Sequence, residues 1–254
     1  SGAKVWVDNN GDGLWEVIQK ETVFTELSEY APVLNDVDQQ YGSSVAQAPN
    51  RFAALVGSPR FRFPAGATLW NIASTYDSGD IVYVADPYQT EFFQASQAVP
   101  QSIAISNTAY WTPYSLSSLP RKGGVYVYVK SDGSQYVPLS PLNPADAVLT
   151  LDVTGVRGYG NAVDFGNKDW AVAGASASLG STSLADNGYA CVIYRDPELG
   201  APGSIPYNQW QLMTNPDSTT AVSEFGYSVA MSLDERWMYI GAPGTNKVYT
   251  YGRV

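Results

Sequence analysis

The densest run of oxygen ligands in the chain is Asp8-Asn9-Asn10-Gly11-Asp12-Gly13. Asp8, Asn10 and Asp12 stand at alternate positions and Gly13 follows, which is how a calcium-binding loop opens. The twelfth position of such a loop is Gln19, not a bidentate glutamate. Asn-Gly and Asp-Gly between two strand-like runs also make hairpin turns, so a calcium site and a plain turn both stay open. A second group is Asp164, Asn167 and Asp169, which would either converge on an ion or sit as solvated turn residues. The aromatic run Tyr110-Trp111-Thr112-Pro113-Tyr114 offers Tyr110, Trp111 and Tyr114 as flat faces on which a glycan ring could stack. The same side chains serve equally well as packing between sheets.

The chain holds no histidine, so Ser-His-Asp and Cys-His catalysis and the commonest zinc ligand are excluded. Its single cysteine, Cys191, lies in an apolar strand pattern and reads as a buried structural thiol. A formal net charge of −10 repels phosphate backbones, which argues against nucleic-acid binding. No apolar run is long enough to span a bilayer, so membrane insertion is not expected. Charged residues are scarce at 15% and aromatics reach 13%, the balance of a β-protein with half-buried strands and many tight turns. No segment carries sustained helical periodicity.

What must position any site is a repeat. Tyr41-Gly42-Ser43-Ser44-Val45, Tyr159-Gly160-Asn161-Ala162-Val163 and Phe225-Gly226-Tyr227-Ser228-Val229 share an aromatic-Gly-x-x-Val pattern. Gln101-Ser102-Ile103-Ala104-Ile105-Ser106 looks like a degenerate copy between the first two. Taken at Val45, Ile103, Val163 and Val229 the steps are 58, 60 and 66 residues, the length of a large propeller blade. Each clear copy is followed by an apolar run ending on small residues, such as Trp170-Ala171-Val172-Ala173-Gly174-Ala175 and Trp237-Met238-Tyr239-Ile240-Gly241-Ala242. A Val-Tyr-Val-like third strand comes next (Val5–Val7, Val82–Val84, Val127–Val129, Val192–Tyr194, Val248–Thr250), then a fourth. Four short antiparallel strands per unit define a propeller blade, a unit that cannot bury its own apolar face.

These motifs resemble the FG-GAP repeat of integrin-α-like β-propellers. The nearest match is Phe225-Gly226-Tyr227-Ser228-Val229-Ala230 followed by Ile240-Gly241-Ala242-Pro243 and Lys247-Val248-Tyr249-Thr250-Tyr251. The expected fold is therefore all-β, a propeller of four-stranded blades. Residues 1–24 would form a terminal hairpin or partial blade and 25–40 a linker. Blades would fall at about 41–96, 97–145, 149–216 and 220–254. The chain starts and stops at third-strand patterns, so an excerpt of a larger propeller is expected. The family's calcium loops between first and second strands do not carry over, since Gln47–Asn50, Asp164–Asp169 and Ser232–Arg236 lack the alternating acidic spacing.

The resemblance implies a non-enzymatic, adhesion-type structural or recognition module on an extracellular, cell or virion surface. Its partners would be proteins or identical subunits in a surface assembly. Val5–Val17 also looks like the short hairpins of large structural proteins on phages and bacterial surfaces. Alternatives are a lectin-like propeller that binds glycans and a propeller-fold hydrolase or lyase. No cofactor is required by any motif, calcium being the one candidate. The long stretch Phe61–Ser78 would project as a recognition loop or add an irregular outer strand.

Overall fold

The structure is a computed structural model, and it describes residues 5–7, 16–18, 39–49, 53–85, 90–130, 136–138, 148–150, 157–167, 169–176, 188–195, 207–216 and 223–253. The chain divides into two compact units, Ser1–Ala31 and Pro32–Val254. In the first, β1 (Val5–Val7) and β2 (Glu16–Ile18) pair antiparallel with Trp6 opposite Val17. In the second, the strands are β3 (Ser44–Gln47), β4 (Ala53–Ser58), β5 (Thr68–Leu69), β6 (Ile81–Ala85), β7 (Thr90–Ala95) and β8 (Trp111–Pro113). There follow β9 (Gly124–Lys130), β10 (Tyr136–Pro138), β11 (Val148–Leu149), β12 (Tyr159–Phe165), β13 (Trp170–Ala175) and β14 (Tyr189–Arg195). The last four are β15 (Tyr207–Thr214), β16 (Ser228–Met231), β17 (Trp237–Ala242) and β18 (Lys247–Gly252).

The fold is all-β, as composition and alternation require. Three antiparallel sheets repeat one order: β3-β4-β9-β10, β12-β13-β14-β15 and β16-β17-β18. Each opens on one clear aromatic-Gly copy. A closed barrel or ring is not formed among the described residues. No helix among them is long and apolar enough to cross a membrane.

The first sheet differs from its expected composition. The chain leaves β4 at Ser58 and re-enters directly opposite it at Gly124, so β9 is the third strand of that sheet, not Val82-Tyr83-Val84. The intervening stretch builds a sheet of its own, β5-β6-β7-β8, in which β5 and β6 run parallel. The step between residues 96 and 97 lies inside this inserted sheet, because β7 pairs with β8. Gln101–Ser106 forms turns, not a strand, and Ile103 and Ile105 pack at the edge of a cluster around Trp111. The reason is visible at the glycine position. Gly42, Gly160 and Gly226 all have φ between +84° and +89°, while the degenerate copy has Pro100 there, whose ring fixes φ negative. Phe61 likewise does not project: it is buried against Tyr83 and Tyr126, where the inserted sheet covers the first.

The sheets pack face to face in sequence order. Leu55, Val125 and Val127 of the first meet Ala173, Cys191 and Ile193 of the second. On the other face of the second sheet, Val172, Ala190 and Val192 meet Phe225, Met238 and Ile240 of the third. At each joint the contact is backbone on backbone. A methyl on Gly57 would overlap the Gly160 carbonyl, and one on Gly174 would overlap the Gly226 carbonyl. Gly123 and Gly188, just ahead of the third strands, form parallel bridges to Tyr159 and Phe225 of the following sheet. The side chain of Ser44 donates to the Gly160 carbonyl at 2.8 Å, and Asn161 Nδ2 to the Tyr227 carbonyl at 2.9 Å.

Gly42 and Gly226 separate backbone strain from crowding. Both have φ near +85°, but nothing lies within 4 Å of a Cβ at Gly42, whereas one at Gly226 meets the Tyr189 carbonyl. Gly42→Ala should cost only the strain of a left-handed alanine, about 1–2 kcal/mol. Gly226→Ala should cost on the order of 4 kcal/mol or more, because neither backbone can yield. Denaturant unfolding of the two variants measures the difference, and equal losses would show that the joint does not depend on this contact.

Candidate functional site

Asp164 near the end of β12 and Asn167 and Asp169 in the turn to β13 all make contacts of a different kind from ion ligation. Asp164 Oδ2 accepts the Met231 N–H at 2.8 Å. Asp169 Oδ1 pairs with Arg195 at 3.0 Å and 2.7 Å, both side chains being nearly buried. Asn167 offers its backbone N–H, at 2.9 Å, to Glu235 Oε1 on the third sheet. The same oxygen also accepts from Asp169 N–H at 3.1 Å and Trp170 N–H at 3.4 Å. Glu235 thus latches the third sheet to the second. Among the described residues no group of three His, Cys, Asp or Glu side chains is arranged to hold a metal.

Glu235 was not legible as a functional residue, since Leu233-Asp234-Glu235 reads as an ordinary solvated turn. Its backbone has φ +58°, and its N–H bonds the Ser232 carbonyl, which swings the carboxylate toward the second sheet. Asp234 holds that turn by accepting from Ser232 Oγ and from Arg236 N–H, and these bonds keep its carboxyl below the usual range.

Asp8, Asn10 and Asp12 lie outside the described residues. Tyr110, Trp111 and Tyr114 are brought together in sequence but not on one surface. Trp111 is only 1% exposed and meets Tyr76 edge-on at 5.2 Å, in a cluster that Tyr110 borders. Tyr114 packs with the cluster on the opposite face of the inserted sheet, beside Phe92 and Tyr83. Cys191 is buried, and burial pushes its thiol up to about 12 against a lowering hydrogen bond with Tyr159. It occupies the third-strand place that Tyr126 and Tyr249 take in the other sheets, where Tyr41 and Phe225 meet those rings edge-on at 5.0 Å and 5.4 Å.

Two open features belong to the third sheet. Its outer face carries Ala230, Trp237, Tyr239, Val248 and Thr250, with no charged side chain among them. Tyr239 is 41% and Val248 70% exposed, although their counterparts Leu55 and Val125 in the first sheet are fully buried. Between the second and third sheets lies a cleft of about 460 Å³ lined by Trp170, Met213, Met231, Met238, Tyr251 and Arg253, among others. All three methionines of the chain line it. The Arg253 guanidinium stands 5.2 Å from the Trp170 ring centroid, a cation–π contact across its rim.

No family model matches the chain, and no curated protein matches it.

Removing the latch should be costly: Glu235→Ala strips three N–H groups of a charged acceptor and should lose about 2–3 kcal/mol. Glu235→Gln keeps an oxygen in place and should lose less than half of that. Chemical denaturation compares them, and an unchanged midpoint for the alanine variant would refute the latch. For Cys191, a disulfide reagent at pH 8 should fail to label the native chain and label it fully in denaturant. Rapid native labelling would contradict its placement.

Proposed function

We propose that this chain is a non-enzymatic structural and recognition module of an extracellular, cell-surface or virion assembly, built as an arc of FG-GAP-like propeller blades. The observation that carries this reading is the outer face of the third sheet. It repeats, position for position, the face that the first and second sheets bury against their successors. A contiguous uncharged face of tryptophan, tyrosine and valine is what marks an interaction surface on a chain whose net charge is −10.

The arrangement of strands supports an arc of blades. The opening strands β3, β12 and β16 lie side by side, with β12 touching both of the others. Strand order within the second and third sheets is the simple meander of a blade, and the first keeps the same order across its insertion. The glycine corners set the sheets at one repeated relation, as neighbouring blades require. Partners that fit the outer face are proteins with a matching apolar sheet, including a second copy of this chain.

Tyr239→Glu combined with Val248→Glu tests the reading. Both side chains point away from the third sheet's packed side, so the melting point should stay near that of the parent. Sedimentation velocity at rising concentration should show reversible self-association of the parent and its loss in the double variant. A parent that stays monomeric at every concentration, or a variant that associates equally well, would remove the assembly role of this face.

A further inference from the structure

Cations are scarce in this chain, fourteen lysines and arginines against a net charge of −10. Three arginines nevertheless meet at the first joint. Arg60, Arg121 and Arg157 line one pocket of about 390 Å³, whose lining Leu119 and Pro120 complete. They arrive from segments far apart in sequence: Arg60 follows β4, Arg121 precedes β9 and Arg157 precedes β12. Backbone bonds tie these segments together beside each arginine. Arg60 N–H donates to the Gln39 carbonyl at 3.1 Å, Gly123 N–H to the Phe61 carbonyl at 3.0 Å, and Tyr159 N–H to the Lys122 carbonyl at 3.0 Å. The parallel bridge of Gly123 to Tyr159 closes the set. The convergence is therefore set by the backbone and not by chance side-chain placement.

The joint itself does not need arginine. The second joint is made by Gly174, Gly188 and Gly226 in the places of Gly57, Gly123 and Gly160. Counted from those glycines, the residues that replace Arg60, Arg121 and Arg157 are Ala177, Asp186 and Ser223. The same corner is thus built without a single cation. Three like charges around one cavity repel, and an anion seated between them turns that repulsion into attraction. Arg60 and Arg121 also interact within the chain, but Arg121 and Arg157 are exposed, where an ion pair contributes little. Each guanidinium presents a planar fork of donors. Three forks suit a group with three or more oxygens better than a two-oxygen carboxylate, so phosphate or sulfate is the matching chemistry.

The pocket has a neighbour. Leu119 and Pro120 also wall a second pocket of about 440 Å³, together with Phe61, Phe63, Pro64 and Lys122 among others. A rib of two apolar residues therefore separates a cationic pocket from a largely apolar one. The rib is held in place at its start. Leu119 N–H bonds the Leu116 carbonyl at 3.0 Å, and Arg62 Nη1 donates to the same carbonyl at 3.2 Å.

We propose that the pocket of Arg60, Arg121 and Arg157 binds the phosphate or sulfate group of an organic monoester, whose apolar body lies across Leu119 and Pro120 into the pocket beside Phe63. The site belongs to the first joint and the outer-face reading to the third sheet. Self-association tests one and small-molecule titration the other, so each can fail alone.

Calorimetric titration of the whole chain with phenyl phosphate and with phenyl sulfate identifies the group, and inorganic phosphate and sulfate are the free-ion arms. At least one ester should bind saturably at one site, and at least about tenfold more tightly than its free ion, because the ring gains apolar contact. Arg157→Gln should weaken that ester at least about tenfold by removing a charge-assisted fork. Arg157→Lys keeps the charge without the fork and should restore only part of the loss. Lys130→Gln makes the same change of charge at the far end of β9 and should leave the affinity as it was. Arg121→Gln, at a second exposed position, should match Arg157→Gln and keeps the test independent of one variant's folding. No saturable binding of either ester, binding no tighter than that of the free ion, or an Arg157→Gln loss no larger than that of Lys130→Gln would each overturn the proposal.

Discussion

Everything in the second unit depends on two sheets approaching until the backbone of one meets the backbone of the next. Gly57 under the Gly160 carbonyl, and Gly174 under that of Gly226, leave no volume for a side chain. Such contact is possible only where glycine stands on both sides, one supplying a positive φ and the other an absent Cβ. The aromatic before the corner glycine is then carried inward: Tyr159 and Phe225 are fully buried and Tyr41 is half-buried. One local device thereby fixes the spacing of the sheets, the place of the ring and the start of the first strand. The serine and asparagine bonds to the Gly160 and Tyr227 carbonyls hold the corners in register, and the Glu235 carboxylate does so at the far end of the second joint.

That device explains which parts of the architecture were legible. Aromatic-Gly-x-x-Val marks a corner that only glycine can make, so Tyr41-Gly42, Tyr159-Gly160 and Phe225-Gly226 each announce a sheet. The spurious copy at Gln101–Ser106 had the right spacing and apolar pattern but a proline where φ must be positive, and spacing alone carried no information about that. The inserted sheet was illegible for a different reason. Ile81–Ala85 alternates like any third strand, and pattern cannot say which strand it will pair with. The pairing of Ser58 with Gly124 is set by the Gly123 corner, whose bridge to Tyr159 needs the next sheet to be present.

At the level of sites, sequence found residue types and missed their employment. Asp164 and Asp169 have the chemistry of ion ligands, yet the first binds a backbone amide of the third sheet and the second is neutralised by Arg195. Trp111 and Tyr114 are neighbours along the chain, but strand alternation sends them to opposite faces of the inserted sheet. Cys191 was correctly read as buried. The reason for a cysteine there is local: in the other two sheets a tyrosine meets the corner aromatic, while here Tyr159 reaches the smaller thiol instead.

The two ends of the row are unlike, and the difference has a physical origin. At the first sheet, Tyr126 and Tyr128 would face water if Phe61, Tyr83 and Phe92 of the inserted sheet did not cover them. The hydroxyls of Tyr41 and Tyr128, both of the first sheet's unit, meet at 2.6 Å beside that interface, and burial raises both phenols above their usual range. The insertion therefore caps one end with the chain's own sheet, as terminal units of a repeat array must be capped. At the third sheet no such cover exists among the described residues, and the outer face stays exposed at Trp237, Tyr239 and Val248. Tyr239 and Val248 stand where the first sheet buries Leu55 and Val125, so the uncapped end keeps exposed the face that its counterpart hides.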